Sequence, residues 1–349
     1  MKRFKYLFVY TLPISVLIAF NTQGLVTFFP IMLFFGIVPI IELIIKPDRT
    51  NFDDKTAKKE NNNPFYNWVM FLAVPIQLAV LIYFLITINK TPIGSVEYVG
   101  RIVSMGLMCG VLGINIGHEL GHRSNRLHQF LGEVLLLTSL NTHFLPYHNS
   151  GHHFEVATPN DSATAKKNQL LYAFWFTSHF GSYIKAWQIE NKRMVKIEKP
   201  RYSIYNKMVQ YSIANIAVLA VIYLFFDINV LIAFIVAASI GILLLETVNY
   251  IEHYGLLRNK NESGRYERVK YSHSWNSDHP LGRLLLFNLS RHSDHHYKAS
   301  IKYQILKSMP ESPQMPTGYP GMMVFSLFQP LWFYVMNKKL ERINTNLKH

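Results

Sequence analysis

The sequence predicts an all-α integral membrane protein with six transmembrane helices and a histidine-rich helical region on the cytoplasmic side of the membrane. Hydrophobic residues make up 50% of its 349 residues and charged residues only 16%, well below the quarter that is usual in soluble domains. The apolar residues gather in runs close to the ~20 residues that a helix needs to cross a bilayer. Many of the 15 histidines stand in tight clusters, and we expect one membrane-embedded domain over residues 1–349.

Six apolar runs predict the six spans. The first two contain no lysine or arginine and flank the polar turn 21–24. They read as a helical hairpin, and no small-residue cleavage site marks the first run as a signal peptide. The last two flank the turn 227–229 in the same way. The runs are Tyr6–Phe20, Leu25–Ile45, Trp68–Ile88, Ile102–Gly117, Asn206–Phe226 and Val230–Tyr250, of which the fourth continues into His118 and the sixth ends at His253.

Three further apolar segments are short or interrupted. They are Leu127–Pro146, Leu171–Ile184 and Met322–Met336. We expect them to form interfacial or buried helices rather than full spans.

The net charge of +14 orients the predicted spans. Lysines and arginines concentrate in cytoplasmic loops, and here they fill the loop 47–63, the region 123–205 and the C-terminal region 254–349. We therefore expect cytoplasmic N- and C-termini, with the first four spans in 1–122 and the last two in 206–253. Spans four and six then both end on the cytoplasmic side, and both end in histidine. The positive charge accompanies no nucleic-acid-binding motif, so we expect no nucleic-acid partner.

Four motifs contain the clustered histidines. They read HELGH at 118–122, HNSGHH at 148–153, NYIEHYG at 249–255 and RHSDHH at 291–296. Residues three or four apart share one face of a helix, so each cluster is expected to aim its imidazoles at one point. The sets expected to converge are His118/His122, His148/His152 and His292/His295/His296.

Nine clustered histidines exceed what one metal ion can hold, and they predict two ions with four or five nitrogens each. Neutral imidazole is the commonest metal ligand. A structural zinc site is complete with four ligands and usually includes sulfur, whereas this chain has one cysteine, Cys109. Iron accepts imidazole and keeps a position open for oxygen. The nine ligands expected are His118, His122, His148, His152, His153, His253, His292, His295 and His296.

Carboxylates near the motifs can offset the charge of two divalent ions. The candidates are Glu119, Glu155, Asp161, Glu246, Glu252 and Asp294. The remaining histidines stand alone and are expected to be hydrogen-bonded or interfacial residues rather than ligands. These are His128, His143, His179, His273, His279 and His349. No catalytic residue is assigned beyond the metal site.

Two other functions stay open on the residues alone. His118-Glu119-x-x-His122 matches the zinc-metalloprotease pattern with Glu119 as the base, but this function leaves HNSGHH and RHSDHH without a role. A proton relay in a transporter also places histidines within a membrane protein, but a relay does not need two dense clusters.

The four motifs, in this order and at similar spacing, resemble those of the integral-membrane alkane monooxygenases (alkane hydroxylases). These enzymes are relatives of the membrane fatty-acid desaturases and of xylene monooxygenase. The boxes read HELGHR, GHHFEVATPND, NYIEHYGLLR and RHSDHH, the last preceded by SHSWNS at 272–277 and followed by Pro316-x-Gly318-Tyr319. The resemblance runs from Ile102 to Met336. The NYxEHYG box is the specific one, because desaturases share the histidine boxes more loosely and lack it.

Three positions depart from the family pattern. Tyr147 stands where glutamate is usual, Ser290 where glutamine is usual, and Arg123 where lysine is usual. None of these changes removes a histidine. The Tyr147 change alters the charge beside the second box.

The resemblance implies that the same nine histidines hold two iron ions (Fe2+/Fe3+) and that the protein hydroxylates n-alkanes or similar alkyl chains to primary alcohols, as part of lipid metabolism. O2 is then the co-substrate, and two electrons come from an external carrier, either rubredoxin or a ferredoxin with its reductase. The expected location is the bacterial inner membrane, with the bilayer as a partner. A fatty-acid desaturase or hydroxylase and an aryl-methyl monooxygenase are alternatives within the same chemistry.

Overall fold

The computed structural model describes residues 2–346, and His349 lies outside them. Within the described residues there is no β-strand, only two isolated bridges between short extended segments. Six helices are long and apolar enough to cross a membrane, as the sequence predicts. They are Arg3–Phe20 (span 1), Gly24–Ile44 (span 2), Phe65–Asn89 (span 3), Val96–Gly121 (span 4), Lys207–Phe225 (span 5) and Ile228–His253 (span 6).

Span 4 begins at Val96 and not at the predicted Ile102. The charged residue Arg101 directly precedes the predicted start. Both terminal nitrogens of the Arg101 guanidinium are hydrogen-bonded inside the structure, one to the hydroxyl of Thr91 at 2.5 Å and the other to the carbonyl of Thr22 at 3.2 Å. Ser95 caps the helix by accepting the N–H of residue 98 at 3.1 Å. These contacts allow a charged residue to lie within the helix.

The chain forms two compact units. Unit 1 comprises the residues up to Gly36, Asn63–Asn149 and Tyr183–Leu245, and unit 2 comprises Ile37–Asn62, Ser150–Ser182 and the residues from Glu246 onward. The prediction of a single domain over the whole chain stays a prediction.

Unit 1 is built from tightly packed helices. Spans 4 and 6 approach closely where Gly110 faces Gly241, because a Cβ added to Gly241 would lie 3.0 Å from the backbone nitrogen of Gly110. Small residues allow membrane helices to approach in this way. Buried polar bonds add to the packing, with Gln77 donating to Thr138 at 3.1 Å. The close packing fixes the end of span 4, where the first histidines lie.

Unit 2 has an aromatic core. Trp275, Trp332, Tyr250 and Tyr254 are among its largest fully buried side chains. The indole N–H of Trp275 donates to the carbonyl of Tyr254 at 2.9 Å, so the ring is both packed and hydrogen-bonded. This bond ties the loop before the RHSDHH box to the end of span 6.

The end of span 2 belongs to unit 2 and contributes a buried carboxylate. Oε1 of Glu42 accepts the backbone N–H of Gly282 at 2.8 Å. The backbone of Gly318 lies so close that an added Cβ would be 1.8 Å from Oε2 of Glu42. Only a glycine at position 318 leaves room for this carboxylate.

The three segments expected to be interfacial or buried are helical, with different bounds. The first contains Arg126–Leu137 and Phe144–Tyr147, and the second extends to Leu171–Lys196. The third is broken into Tyr319–Ser326 and Gln329–Asn346, since Pro330 starts a new helix. The other helices outside the spans are Asp54–Asn61, His148–His152, His153–Glu155, Tyr271–His273, Pro280–Leu285, His292–Tyr297 and Tyr303–Ile305.

Candidate metal centre

Three histidines of unit 1 bring their ring nitrogens together. Nε2 of His118 lies 2.8 Å from Nε2 of His122, and Nε2 of His122 lies 3.1 Å from Nε2 of His148. His118 and His122 are one helical turn apart, as predicted. Two nitrogens that bind one metal ion at about 2.1 Å and at right angles lie about 3.0 Å apart. The spacing of these rings therefore suits a metal ion.

An apolar wall stands beside these rings. The ring of Phe144 stacks on His148 with 4.5 Å between ring centres and meets His118 edge-on at 5.6 Å. Phe144 is part of a buried apolar group, here called the Phe144 cluster. It comprises Ile114, Leu136, Phe144 and Leu145, with Ile242 and Leu245 packed against it. The aromatic contacts restrict the orientation of both imidazoles.

Four histidines of unit 2 form a second group, here called the four-histidine group. It consists of His152, His253, His292 and His296. One nitrogen of each lies within 4.8 Å of the others, and Nε2 of His253 is 3.1 Å from Nε2 of His292. All four residues are at most 5% exposed, so the group is closed to bulk water.

His153 and His295 face each other in unit 2, with ring centres 4.9 Å apart. A helix advances about 100° per residue, so neighbouring side chains such as His295 and His296 diverge by that angle. The expected convergence of His292, His295 and His296 on one point therefore does not hold for His295. His292 and His296, one turn apart, serve the four-histidine group, and His295 turns toward His153.

The expected convergence of His148 and His152 does not occur either. The turn His148–His152 is π-helical, with backbone bonds that span five residues instead of four. The wider winding rotates the two side chains apart. His148 joins His118 and His122 in unit 1, and His152 joins the four-histidine group in unit 2. π-Helical turns are frequent at functional sites, but single-residue patterns do not reveal them.

Asp161 orients His152. Its Oδ2 lies 2.9 Å from Nδ1 of His152 and accepts a second bond from the Thr164 hydroxyl at 2.6 Å. A carboxylate at Nδ1 holds the proton there and leaves the lone pair on Nε2, the nitrogen that then binds metal. Asp161 thus lies beside a histidine of the four-histidine group, and its role beside a metal ion stays a prediction.

Glu252 lies directly against a histidine of the four-histidine group. Its Oε2 is 3.1 Å from Nε2 of His292, the nitrogen that also faces His253. Burial and the Glu252 carboxylate raise the pKa of Tyr319, so the Tyr319 hydroxyl keeps its proton and donates it in a hydrogen bond to Glu252. Glu252 is therefore a candidate both to balance charge and to bind metal itself.

The other candidate carboxylates have different partners. Glu119 pairs with Arg123 at 2.6 Å, so the charge of Arg123 is balanced next to the first histidine box. Oδ2 of Asp294 accepts the backbone N–H of Lys307 at 2.8 Å. Glu246 accepts the side-chain amide of an asparagine one turn later at 3.1 Å. Glu155 ends the short helix that carries His153.

Arg291 has a positioning role that the sequence analysis missed. Its guanidinium spreads several hydrogen bonds over three loops. It donates to the side chains of Asp278 (3.1 Å) and Asn51 (3.3 Å) and to the carbonyls of Asp48 (3.1 Å), Thr50 (3.1 Å) and Leu306 (2.7 Å). A lysine cannot make such a fork. Because Arg291 immediately precedes His292, the network fixes the start of the histidine helix. The only signal in the sequence was an arginine inside a histidine box.

Asn276 also stabilises the start of the helix His292–Tyr297. Its Oδ1 accepts the backbone N–H of Ser293 at 2.8 Å and the Ser293 hydroxyl at 2.9 Å. The first N–H groups of a helix lack partners within the helix, and Arg291 supplies no side-chain cap. The asparagine of the SHSWNS box therefore caps the helix from a separate loop.

The ligand set fits a metal ion. Burial, with neighbouring histidines, lowers the pKa of His295 and of His296 well below the usual range, and neutral imidazole is the form that binds metal. Neither ring nitrogen of His296 has a hydrogen-bond partner within residues 2–346. A buried polar atom without a partner is costly, and coordination of an ion removes this cost.

The lone histidines in the described part of the chain make other contacts. Nδ1 of His273 accepts a backbone N–H at 3.0 Å, and Nδ1 of His279 lies 3.1 Å from a serine hydroxyl. His128, His143 and His179 each contact an aromatic ring. None of the five belongs to a metal-type histidine group found within residues 2–346.

Comparison with known proteins identifies one family and several related enzymes. The family model "Fatty acid desaturase" matches residues 97–326, which contain all four histidine motifs. Alkane 1-monooxygenase 1 of Alcanivorax borkumensis is 37% identical over 87% of this chain and 74% of its own. Alkane 1-monooxygenase of Ectopseudomonas oleovorans is 35% identical over 89% and 77%. The xylene/toluene monooxygenase hydroxylase component of Pseudomonas putida is 25% identical over 82% and 76%.

Proposed function

Because the chain belongs to the fatty acid desaturase family and, within it, to the alkane 1-monooxygenases, we propose that it hydroxylates the terminal carbon of n-alkanes or similar alkyl chains. A methyl group, O2, two electrons and two protons give a primary alcohol and water. The observation that carries the proposal is the pair of histidine groups, three rings in unit 1 and four in unit 2, at metal-binding spacing.

We propose that these groups hold two iron ions. Donor sets of imidazole without sulfur suit iron and leave positions for oxygen. When bound, the irons supply the reduction of O2 and the oxidation of the C–H bond, which no side chain performs. One ion is assigned to His152, His253, His292 and His296. The other is assigned to His118, His122 and His148 of unit 1. His153 and His295 of unit 2 complete the nine histidines that the resemblance implies as iron ligands.

The Phe144 cluster is proposed to receive the end of the alkyl chain. An alkane offers no polar atom for recognition, so its binding depends on burial of apolar surface, about 0.8 kcal/mol per CH2 group. The cluster presents only apolar side chains, next to His118 and His148. A chain end held at this wall is selected by position, which explains terminal oxidation.

The electrons are proposed to come from rubredoxin, or a ferredoxin, with its reductase. This chain has one cysteine, which is buried, so these 349 residues cannot form a four-cysteine iron centre. The net charge of +14 favours association with an acidic carrier. By the positive-inside rule, the termini and the histidine motifs face the cytoplasm from the bacterial inner membrane.

Metal analysis followed by product analysis tests the proposal. The purified protein is expected to contain about two irons per chain and, with rubredoxin and its reductase, to convert a series of n-alkanes to primary alcohols. Zinc in place of iron, with cleavage of peptides, would favour the HELGH protease. Iron together with desaturated or hydroxylated acyl chains, or with oxidised aryl methyl groups, would support the iron site but overturn the assignment of an alkane as the substrate.

A further inference from the structure

A cavity of about 340 Å³ lies in unit 1 at the ends of three spans. Its walls come from the turn after span 3, the start of span 4 and the turn between spans 5 and 6. They include Asn89, Lys90, Thr91, Ile93, Tyr98 and Asp227. These spans are each long enough to cross the hydrocarbon core, and the cavity is formed where they end. We therefore place the cavity at the level of the lipid headgroups.

Two opposite charges line this cavity without pairing. Within residues 2–346 no ion pair joins the ammonium of Lys90 to the carboxylate of Asp227. Oδ1 of Asp227 accepts the N–H groups of Asn229 and Val230 at 2.8 and 2.9 Å. These bonds lower the pKa of Asp227, so it stays ionised. The cavity therefore offers one positive and one negative group to a ligand.

Hydrogen bonds hold the walls in place. The Tyr98 hydroxyl donates to the carbonyl of Asn229 at 3.1 Å, which ties span 4 to the first turn of span 6. The Arg101–Thr91 bond ties span 4 to the turn after span 3. Ile93 is 65% exposed and provides an apolar surface beside the charges. A site held in this way binds with less loss of conformational freedom.

We propose that this cavity binds the headgroup of an amine-bearing phospholipid, with the phosphate at Lys90 and the ammonium at Asp227. The volume is typical of a small-molecule site. An anionic lipid without an amine satisfies Lys90 alone and leaves Asp227 beside a second negative charge. A zwitterionic headgroup satisfies both residues. The inference rests on the described cavity and does not depend on the catalytic activity.

Native mass spectrometry of the purified full-length protein tests the proposal. Phosphatidylethanolamine and phosphatidylglycerol are the probes, added separately to the delipidated protein in detergent. Lys90→Gln is expected to weaken binding of both lipids, and Asp227→Asn to weaken only phosphatidylethanolamine, each by about three- to fivefold. Asp53→Asn is the matched control, because Asp53 also begins a helix but does not line the cavity. It is expected to change neither affinity.

The Asp227→Asn substitution is safe for folding, since asparagine caps a helix as well as aspartate does. Equal melting temperatures of the variant and the wild type check this point. Unchanged phosphatidylethanolamine affinity in Lys90→Gln and Asp227→Asn would overturn the proposal. Equal loss of both lipids in Asp227→Asn would overturn the assignment of the ammonium.

Discussion

The clustered histidines differ in what orients them. His152 has the Asp161 carboxylate at Nδ1, whereas His148 has the stacked ring of Phe144. Groups behind a ligand fix its tautomer and direction before the metal binds, and their loss reduces metal affinity. Single substitutions therefore separate residues that bind the metal from residues that orient a ligand.

We expect His292→Ala to abolish hydroxylation. It removes a nitrogen of the four-histidine group and leaves Nε2 of His253 without its neighbour at 3.1 Å. The measurements are iron per chain and alcohol formed from an n-alkane. His179→Ala is the control, because His179 contacts Phe180 outside the histidine groups. Full activity with normal iron content would remove His292 from the ligand set.

We expect Asp161→Ala to lower metal affinity about 10- to 100-fold. The substitution leaves all nine histidines in place but removes the partner that fixes the tautomer of His152. Loss of metal to a competing chelator measures the effect. Thr164→Val keeps the Asp161 carboxylate but removes the hydroxyl that donates to it and that accepts the backbone N–H of Ala157, and it is expected to have a smaller effect. Equal chelator resistance of Asp161→Ala and the wild type would contradict the role given to Asp161.

At the scale of helices, composition predicts the six spans well because a span needs a long apolar run. The start of span 4 was not predictable, since the partners of Arg101 lie in other segments of the chain. The π-helical turn His148–His152 was also missed, because it depends on packing and not on a residue pattern. For the same reason the sequence identified the candidate histidines but not how they divide between the groups.

We expect Arg291→Lys to lower the free energy of unfolding by about 2 kcal/mol or more. Lysine keeps the charge but cannot reach all the acceptors that hold the start of the helix His292–Tyr297. Thermal unfolding and metal content measure the effect, and metal is expected to be lost along with stability. Arg268→Lys, at an exposed position, is the control. Equal melting temperatures of Arg291→Lys and the control would show that a positive charge at position 291 is enough to hold the start of the helix.

We expect Gly318→Ala to destabilise the protein by about 1–3 kcal/mol. The new methyl group would displace the Glu42 carboxylate, and the displaced group is buried. Gly36→Ala is the control, since an added Cβ there has no atom within 4 Å. The same Gly318→Ala change made in a Glu42→Ala background is expected to cost less in thermal unfolding. An equal cost in both backgrounds would exclude the clash as the cause.

At the scale of the whole molecule, the sequence predicts which side of the membrane each loop occupies. The six spans of the structure agree in number with that topology, but the side of the termini stays a prediction. The one cysteine of the chain is fully buried, so we expect the unchanged protein not to react with a thiol-labelling reagent. Introduced cysteines can therefore report the side of each loop.

We expect Ser124→Cys and Ser263→Cys to react with a membrane-impermeant maleimide from the same side. Both residues are exposed and follow spans 4 and 6. Gln23→Cys, in the exposed turn between spans 1 and 2, is expected to react only from the opposite side. The measurement is labelling of intact cells against inverted vesicles. Labelling of all three from one side would overturn the six-span topology.

In the six-residue helix His292–Tyr297, the side chains of His292 and His296 point in one direction and that of His295 points in another. An ion bound by His292 and His296 would fix the rotation of this helix about its axis and so fix the direction of the His295 side chain. Loading of the apoprotein with ferrous iron is then expected to be cooperative, with a sigmoidal titration and few singly filled molecules. Assembly of the centre would thus be close to all-or-none.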